Sequence, residues 1–162
     1  MTTRDATQAD AEQIAEIYSA GILERVATFE TSPRSTEDVL KWFESPLPKV
    51  VVEEAGVVLG YAACFPYSDR CCYGGVAEYS VYVAPEHRGR GIGKLATEAL
   101  IARARDHGLH KLLSRIFPEN RASLALMKSL GFKEVGLHEK HGKLDGQWRD
   151  VVAVELVIEE NL

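Results

Sequence analysis

Apolar and polar positions alternate along the chain with two periods, one typical of helices and one typical of strands. Apolar spacing and capping residues predict helices over 10–20 and 37–44, a third that begins at 92 and a fourth that ends at 130. Runs rich in β-branched and aromatic residues predict strands. The predicted strands are 2–5, 50–54, 57–65, 76–83, 111–117, 132–138 and 149–158. This order predicts a mixed α/β sheet with helices on both faces.

Length and composition fit one compact domain over residues 1–162. The chain has 162 residues, 46% of them hydrophobic, which is enough to bury a full core. No apolar run approaches the roughly 20 residues that a membrane span requires, and the polar N-terminus is unlike a signal peptide. The spacing of Cys64, Cys71 and Cys72 is not that of a zinc site, so we expect reduced thiols in a cytoplasmic protein. The five histidines form no metal set, and no metal is expected.

A glycine-rich run between a predicted strand and a predicted helix is the most informative motif. It consists of His87, Arg88, Gly89, Arg90, Gly91, Ile92, Gly93 and Lys94. Glycine allows the backbone to turn tightly, and the free N–H groups at the start of a helix favour an anion. The basic side chains add positive charge within a chain of net charge -5. The motif therefore predicts a pyrophosphate site for a small anionic ligand and argues against nucleic acid as a partner.

The order of residues in this run distinguishes between three kinds of phosphate loop. A P-loop closes on Lys followed by Ser or Thr, whereas Leu95 follows Lys94 here. A dinucleotide loop has the order G-x-G-x-x-G near a chain start. The order Arg88-x-x-Gly91-x-Gly93, in mid-chain after a strand, resembles the acetyl-coenzyme A (acetyl-CoA) loop of the GNAT superfamily of N-acetyltransferases.

The GNAT resemblance implies a central mixed, mostly antiparallel sheet and an acetyl-CoA site with contributions from three places. Residues 88–94 would hold the pyrophosphate, and the backbone N–H groups of Val81 and Val83 would polarise the acetyl carbonyl. The pattern Asn120-x-x-Ser123 resembles the second half of the coenzyme site, where the Asn contacts the pantetheine arm. An N-cap for the fourth helix is the structural alternative for Asn120.

The stretch from 70 to 83 resembles one branch of the superfamily, the phosphinothricin acetyltransferases. In that branch an Arg, a Tyr and a Glu precede a Ser-x-Tyr-Val strand, and these are Arg70, Tyr73 and Glu78 here. Four further segments resemble the branch: 27–29, 33–35, 42–43 and 144–150. The resemblance covers nearly the whole chain. It implies a homodimer, for which the apolar segment 151–158 is a candidate interface as well as a candidate core strand.

The branch resemblance also implies which residues face the acceptor. Arg70 and Tyr73 would bind it, with Phe29 and Trp42 lining the same pocket. An arginine fork suits a carboxylate, phosphinate or sulfone oxygen. The alternatives are a surface position for Arg70 and core positions for the two aromatic residues. Where the branch often has another basic residue, this chain has Gly74-Gly75, which argues against tight binding of phosphinothricin itself.

Glu78 is the candidate general base. It shares one face of its strand with Ser80 and Tyr82, and a carboxylate on an apolar strand costs free energy unless it is paired or functional. An ammonium must lose a proton before it attacks a thioester, which gives a carboxylate here a chemical task. The same role is implied by the resemblance. A structural salt bridge with an arginine is the alternative.

The group that assists the leaving thiolate is not evident. Many superfamily members have a Tyr seven residues after the Asn, and the branch often has His, but this chain has Met127, which cannot donate a proton. Tyr82, Ser123, His141, water and an unassisted thiolate remain as alternatives.

The leading hypothesis is direct transfer of an acetyl group from acetyl-CoA to the primary amine of a small amino-acid-like acceptor. Phosphinothricin, methionine sulfoximine and methionine sulfone are the acceptors that the resemblance implies, and neither nucleic acid nor a membrane is expected as a partner. One alternative is acetylation of a protein N-terminus or lysine. Another is a coenzyme A-binding module without turnover, which Met127 favours and Glu78 opposes.

Overall fold

A computed structural model describes all 162 residues, Met1–Leu162, and contains one seven-stranded sheet. The strands are β1 (Thr2–Asp5), β2 (Lys49–Glu54), β3 (Val57–Pro66), β4 (Val76–Val83), β5 (Lys111–Ile116), β6 (Lys133–Leu144) and β7 (Gln147–Val157). Their order across the sheet is β1-β2-β3-β4-β5-β7-β6. Only β4 and β5 run parallel, so the predicted mixed, mostly antiparallel sheet is confirmed.

Four helices cover the sheet, two on each face, and a separate apolar layer lies between each pair of helices and the sheet. The helices are α1 (Ala11–Leu23), α2 (Thr36–Leu40), α3 (Ile92–Asp106) and α4 (Arg121–Ser129). The larger layer joins the sheet to α3 and includes Met127 of α4, and the smaller one joins it to α1 and α2. None of the helices combines the length and apolar character of a membrane span.

An ion-pair network joins the first two strands to the start of α1. The guanidinium of Arg4 donates two hydrogen bonds of 2.8 Å to the carboxylate of Asp10 and one of 2.8 Å to Glu53. Asp10, which is only 4% exposed, also accepts a hydrogen bond of 2.8 Å from the backbone N–H of Thr7. Hydrogen bonding to Arg4 lowers the pKa of Asp10, because it stabilises the ionised form.

The final hairpin is longer than the sequence predicts. β6 continues to Leu144 and meets β7 across a two-residue turn, Asp145-Gly146, in which both residues have positive φ (+49° and +78°). Such turns match the twist of a hairpin, and Asp-Gly is a typical sequence for them. The prediction ended this strand at 138 because β6 is an edge strand with exposed, mostly polar side chains over 139–143.

Candidate active site

The parallel pair at the centre of the sheet separates after three residue pairs. Residues 76–78 of β4 pair with residues 111–113 of β5, and no later residues of the two strands pair, although β4 continues to Val83 and β5 to Ile116. A cavity of about 600 Å³ lies beside the separated segments. We call the space between the two separated segments the split.

Backbone N–H groups of β4 point into the split. Ala84 donates to the carbonyl of Leu59 at 2.9 Å, so the backbone of Ala84 faces β3. Because alternate residues of a strand direct their N–H groups to opposite edges, those of Val81 and Val83 face away from β3. Val81 also lines the cavity. A carbonyl group bound in the split could therefore accept hydrogen bonds from these two N–H groups.

The glycine-rich run forms the turn between β4 and α3. Gly89 and Gly91 have φ values of +80° and +77°, and a Cβ on either would meet no atom within 4 Å, so backbone conformation is what requires glycine. Gly91 is the N-cap of α3, and no side chain caps that helix end. Ile92 is buried against Gly60, while a Cβ on Gly93 would lie 3.3 Å from Leu126. The uncapped first turn therefore offers N–H donors to an anion.

Each basic side chain of the run already has a carboxylate partner. Arg88 pairs with Glu24 at 2.9 Å, and Arg90 pairs with Glu54 at 3.0 Å. Lys94 lies 3.9 Å from Glu98, one helical turn further along α3. All three basic side chains are between 39% and 57% exposed, and exposed pairs of this kind contribute little stability. A phosphate can therefore replace these carboxylates at small cost.

The start of α4 forms another wall of the cavity. Asn120 is the N-cap of this helix, and its side-chain oxygen accepts a hydrogen bond of 3.3 Å from the N–H of Ser123. Both residues line the cavity, as does Met127, which is 2% exposed. The structural alternative for Asn120 is thus present, and the residue also faces the space that a coenzyme arm would need.

Glu78 lines the cavity and forms an ion pair across the split. Its Oε1 lies 2.6 Å from Nη1 of Arg115 on β5, and its side chain is 36% exposed. The salt bridge that sequence analysis raised as an alternative therefore exists. Arg115 was missed, although Glu78 is paired with Leu113 and Arg115 shares the face of β5 that Leu113 presents. Knowledge of the strand register would have identified this arginine.

Aromatic rings from α1, β3, β4 and the segment that follows α2 surround the Glu78 side of the cavity. Tyr82 lies edge-on to Tyr18 with ring centroids 5.0 Å apart, and Trp42 contacts Phe65 in the same way at 5.0 Å. Burial raises the pKa of Tyr18 and that of Tyr82, so both hydroxyls stay protonated. Of these rings, the sequence indicates only Trp42 as a pocket residue. Tyr18 follows Ile14 and Ile17 at helical spacing, which predicts a core position as well as a pocket position.

Three charged side chains also line the cavity on the side of α2. They are Arg34, Asp38 and Lys41. Two hydrogen bonds with the hydroxyl of Ser19 hold the backbone of Arg34, and its guanidinium pairs with Glu30 at 2.6 Å. No sequence motif marks these residues as functional, although Arg34 lies in one of the segments that resemble the branch.

The three residues predicted to bind the acceptor lie outside the cavity wall. Phe29 packs edge-on against Phe117 with centroids 4.9 Å apart. Arg70 and Tyr73 contact each other in the loop before β4, with the guanidinium 5.7 Å from the ring centroid, and Tyr73 is 40% exposed. The structure therefore brings together Glu78, Val81, Asn120 and Ser123, and it separates the three predicted acceptor residues from them.

Comparison with known proteins identifies the class to which this fold and site belong. The L-amino acid N-acyltransferase MnaT of Escherichia coli K12 is 35% identical over 99% of this chain and 95% of its own length. The L-methionine sulfoximine/L-methionine sulfone acetyltransferase of Salmonella typhimurium is 34% identical over 99% of this chain and 96% of its own. The protein is thus an N-acyltransferase, as the sequence predicted.

Solved structures agree over the whole fold. The ribosomal-protein-alanine N-acetyltransferase of Brucella melitensis matches with a TM-score of 0.93 at 32% identity, over 98% of this chain and 100% of that one. The phosphinothricin acetyltransferase of Sinorhizobium meliloti, solved in complex with acetyl-CoA, matches with a TM-score of 0.88 at 35% identity, over 96% and 87%. The sequence profile of the acetyltransferase (GNAT) family matches residues 14–132. The chain belongs to the GNAT family of acetyltransferases.

Proposed function

We propose that the protein transfers the acetyl group of acetyl-CoA to the primary amine of a small amino-acid-like acceptor, with methionine sulfoximine and methionine sulfone as the first compounds to test. One observation carries the proposal: a single cavity joins the carboxylate of Glu78 to the donor-lined split and to the start of α4. Its volume of about 600 Å³ lies within the range typical of small-molecule sites. The names of the two curated relatives support the same substrate class.

The chain's own groups fit acetyl-CoA along the split. The N–H donors of the α3 terminus suit the pyrophosphate, and Arg88, Arg90 and Lys94 can exchange surface carboxylates for phosphate oxygens. Asn120 and Ser123 border the path of the pantetheine arm. The coenzyme supplies an activated acetyl group as a thioester. The N–H groups of Val81 and Val83 would donate to its carbonyl oxygen, where negative charge develops during attack.

The acceptor would occupy the aromatic side of the cavity. Rings of Tyr18, Trp42 and Phe65 offer an apolar wall for an amino-acid side chain. Arg34 and Lys41 offer positive charge for a carboxylate or an oxidised sulfur group. These residues replace Phe29, Arg70 and Tyr73 as the acceptor contacts that we propose.

Glu78 would act as the general base in a ternary complex. Arg115 holds Oε1 of Glu78, which leaves Oε2 to take a proton from the acceptor ammonium, directly or through one water. The neutral amine then attacks the acetyl carbon, the C–N bond forms and the C–S bond breaks. The nitrogen passes its second proton to water, which gives the neutral amide. A fixed carboxylate is useful here because misplacement by about 1 Å can cost roughly 10²-fold in rate.

Release of free thiol from acetyl-CoA tests the proposal. The wild type is compared with Glu78→Gln and with Glu155→Gln as the matched control, because Glu155 also joins two strands through an ion pair, 3.2 Å from Lys111. We expect turnover on an amino-acid analogue, a loss of about 10²- to 10⁴-fold in kcat/KM for Glu78→Gln, and little change for the control. Wild-type kinetics in Glu78→Gln would refute the role of this residue.

A second candidate function is acetylation of a protein N-terminus, which the name of the Brucella melitensis neighbour favours. The acceptor panel therefore includes a peptide that begins with alanine beside methionine sulfoximine, methionine sulfone, phosphinothricin and common amino acids. Turnover on the peptide alone would replace the small-acceptor proposal. Failure on every amine despite tight coenzyme binding would leave a binding module.

A further inference from the structure

Tyr79 stands at the point where the split begins. It is the first residue of β4 beyond the last pair with β5, and it follows Glu78 directly. Because neighbouring residues of a strand face opposite sides, its side chain lies on the α3 and α4 side of the sheet. The residue lines the cavity although only 4% of its surface is exposed.

The hydroxyl of Tyr79 is directed at sulfur. Its oxygen lies 2.9 Å from Sδ of Met127 and 3.5 Å from the hydroxyl oxygen of Thr97. Thr97 donates its own proton to the carbonyl of Gly93 at 2.8 Å. At 2.9 Å the thioether is the closer of the two acceptors for Tyr79, and a thioether is a weak acceptor. A buried donor whose nearest acceptor is weak has capacity for a stronger partner.

We propose that the Tyr79 hydroxyl donates a hydrogen bond to the coenzyme A sulfur as the thiolate leaves, a role that rests on the proposed acetyl transfer. The C–S bond breaks and sulfur takes the electron pair, while Tyr79 keeps its proton. The thiolate is then protonated by water, and the proton taken by Glu78 returns to water. Tyr79 thus performs from β4 the task that Met127 cannot perform from α4.

Packing keeps this hydroxyl in place and in the donor form. The ring of Tyr79 lies against Phe132 with centroids 5.4 Å apart, in the larger apolar layer. Burial raises the pKa of Tyr79, so the hydroxyl remains protonated while sulfur carries the charge. A fixed donor in a water-poor site stabilises a developing anion more than water does. The candidates from the sequence were Tyr82, Ser123 and His141. None of them makes a comparable contact with the Met127 sulfur, and His141 lies on exposed β6.

Tyr79→Phe tests the assignment because it removes only the hydroxyl. We expect kcat to fall about 10²-fold with KM for acetyl-CoA unchanged within about two-fold. Tyr61→Phe is the matched control: Tyr61 is a buried tyrosine of β3 whose hydroxyl has no partner, and its loss should leave kcat within about two-fold of the wild type. The double variant Tyr79→Phe/Met127→Tyr returns a hydroxyl from α4 and should recover part of the lost kcat.

A binding measurement examines the same contact without turnover. Coenzyme A bound to the wild type should be present as thiolate to a greater extent, by ultraviolet absorbance at one fixed pH, than coenzyme A bound to Tyr79→Phe. Affinity for desulfo-coenzyme A, which has no sulfur, should be equal in the two proteins and shows that the site is intact.

The outcomes separate this proposal from the one on which it rests. Wild-type turnover with an unchanged kcat in Tyr79→Phe, or an unchanged thiolate fraction, overturns the role of Tyr79 alone. A loss of affinity for desulfo-coenzyme A equal to the loss of kcat assigns Tyr79 a packing role and also overturns it. Absence of turnover by the wild type overturns the proposed function together with this role.

Discussion

Glu78 and Tyr79 are adjacent in sequence but serve opposite faces of β4. Strand alternation alone gives this arrangement, because one residue faces the aromatic side of the cavity and the next faces α4. A base for the amine and a donor for sulfur can therefore come from two consecutive positions. Neither side chain depends on a mobile loop for its position.

Gly91→Ala tests the need for a left-handed residue at the start of α3. Its φ of +77° is unfavourable for alanine, and we expect the free energy of unfolding to fall by about 1–2 kcal/mol and acetyl-CoA affinity to fall with it. Gly136→Ala is the control, since Gly136 does not have positive φ and an added Cβ meets no atom within 4 Å. Denaturant unfolding and calorimetric titration measure the two effects, and equal stability losses in both variants would contradict the argument.

Short motifs indicate the residues that we propose for acetyl-CoA, whereas most of the charged and aromatic side chains that line the cavity beside Glu78 carry no such signal. Glycine at positive φ and an Asn N-cap are local devices, so Gly91 and Asn120 could be recognised from short motifs. Arg115 and Tyr18 reach the cavity only through strand register and helix packing. Their contribution is tertiary, and no local pattern in the chain distinguishes it from a surface charge or a core ring.

At the scale of elements, the network around Asp10 fixes how β1 and β2 meet α1. The carboxylate accepts from Arg4 twice and from the backbone of Thr7, so it is both an ion-pair partner and a turn-forming acceptor. Its loss would affect one helix and two strands together. This makes it a sensitive place to measure how charge supports the fold.

Asp10→Asn should reduce stability in a pH-dependent way. The pKa of Asp10 is lowered in the folded state, so the native protein binds fewer protons, and the stabilisation is present above about pH 4 and is lost as pH falls through the folded pKa. At about pH 7 we expect a loss of roughly 2 kcal/mol. Urea unfolding at several pH values should show the difference shrinking in acid, and a constant difference would refute the charge argument. Asp69→Asn, at an exposed loop position, is the control.

Five of the seven strands were predicted to within one residue at each end. β1 and β4 begin and end at the predicted residues, and β2, β3 and β5 differ by one residue at one end. The prediction for β6 ended before the strand does, because an edge strand need not carry an apolar pattern. The Asp145-Gly146 turn was a local signal that could have extended it.

At the scale of the whole molecule, the β6–β7 hairpin exposes apolar side chains that we propose as the contact surface for a second copy of the chain. Val135, Leu137 and Trp148 are each more than half exposed. The last strand, by contrast, contributes Val151, Val152 and Val154 to the interior of its own subunit. Of the two interpretations of the apolar segment 151–158, a core strand therefore accounts for these valines.

We expect a homodimer in which the exposed apolar side chains of this hairpin form the contact. Light scattering coupled to size exclusion should give twice the chain mass for the wild type and one chain mass for Leu137→Lys, because a charge at a buried apolar contact is costly. Val57→Lys is the control, since Val57 is 49% exposed but lies outside the hairpin. A monomeric wild type at micromolar concentration would contradict this arrangement.

The split divides the chain into two halves. Residues 2–83 form one antiparallel ladder and residues 111–157 form another, and only three residue pairs of the parallel β4–β5 contact join them within the sheet. Every group that we propose for chemistry borders this seam. The larger apolar layer crosses the same boundary, because it contains side chains from both ladders. Activity therefore depends on how that layer spaces β4 and β5, and local opening between them can remove catalysis while the strands persist.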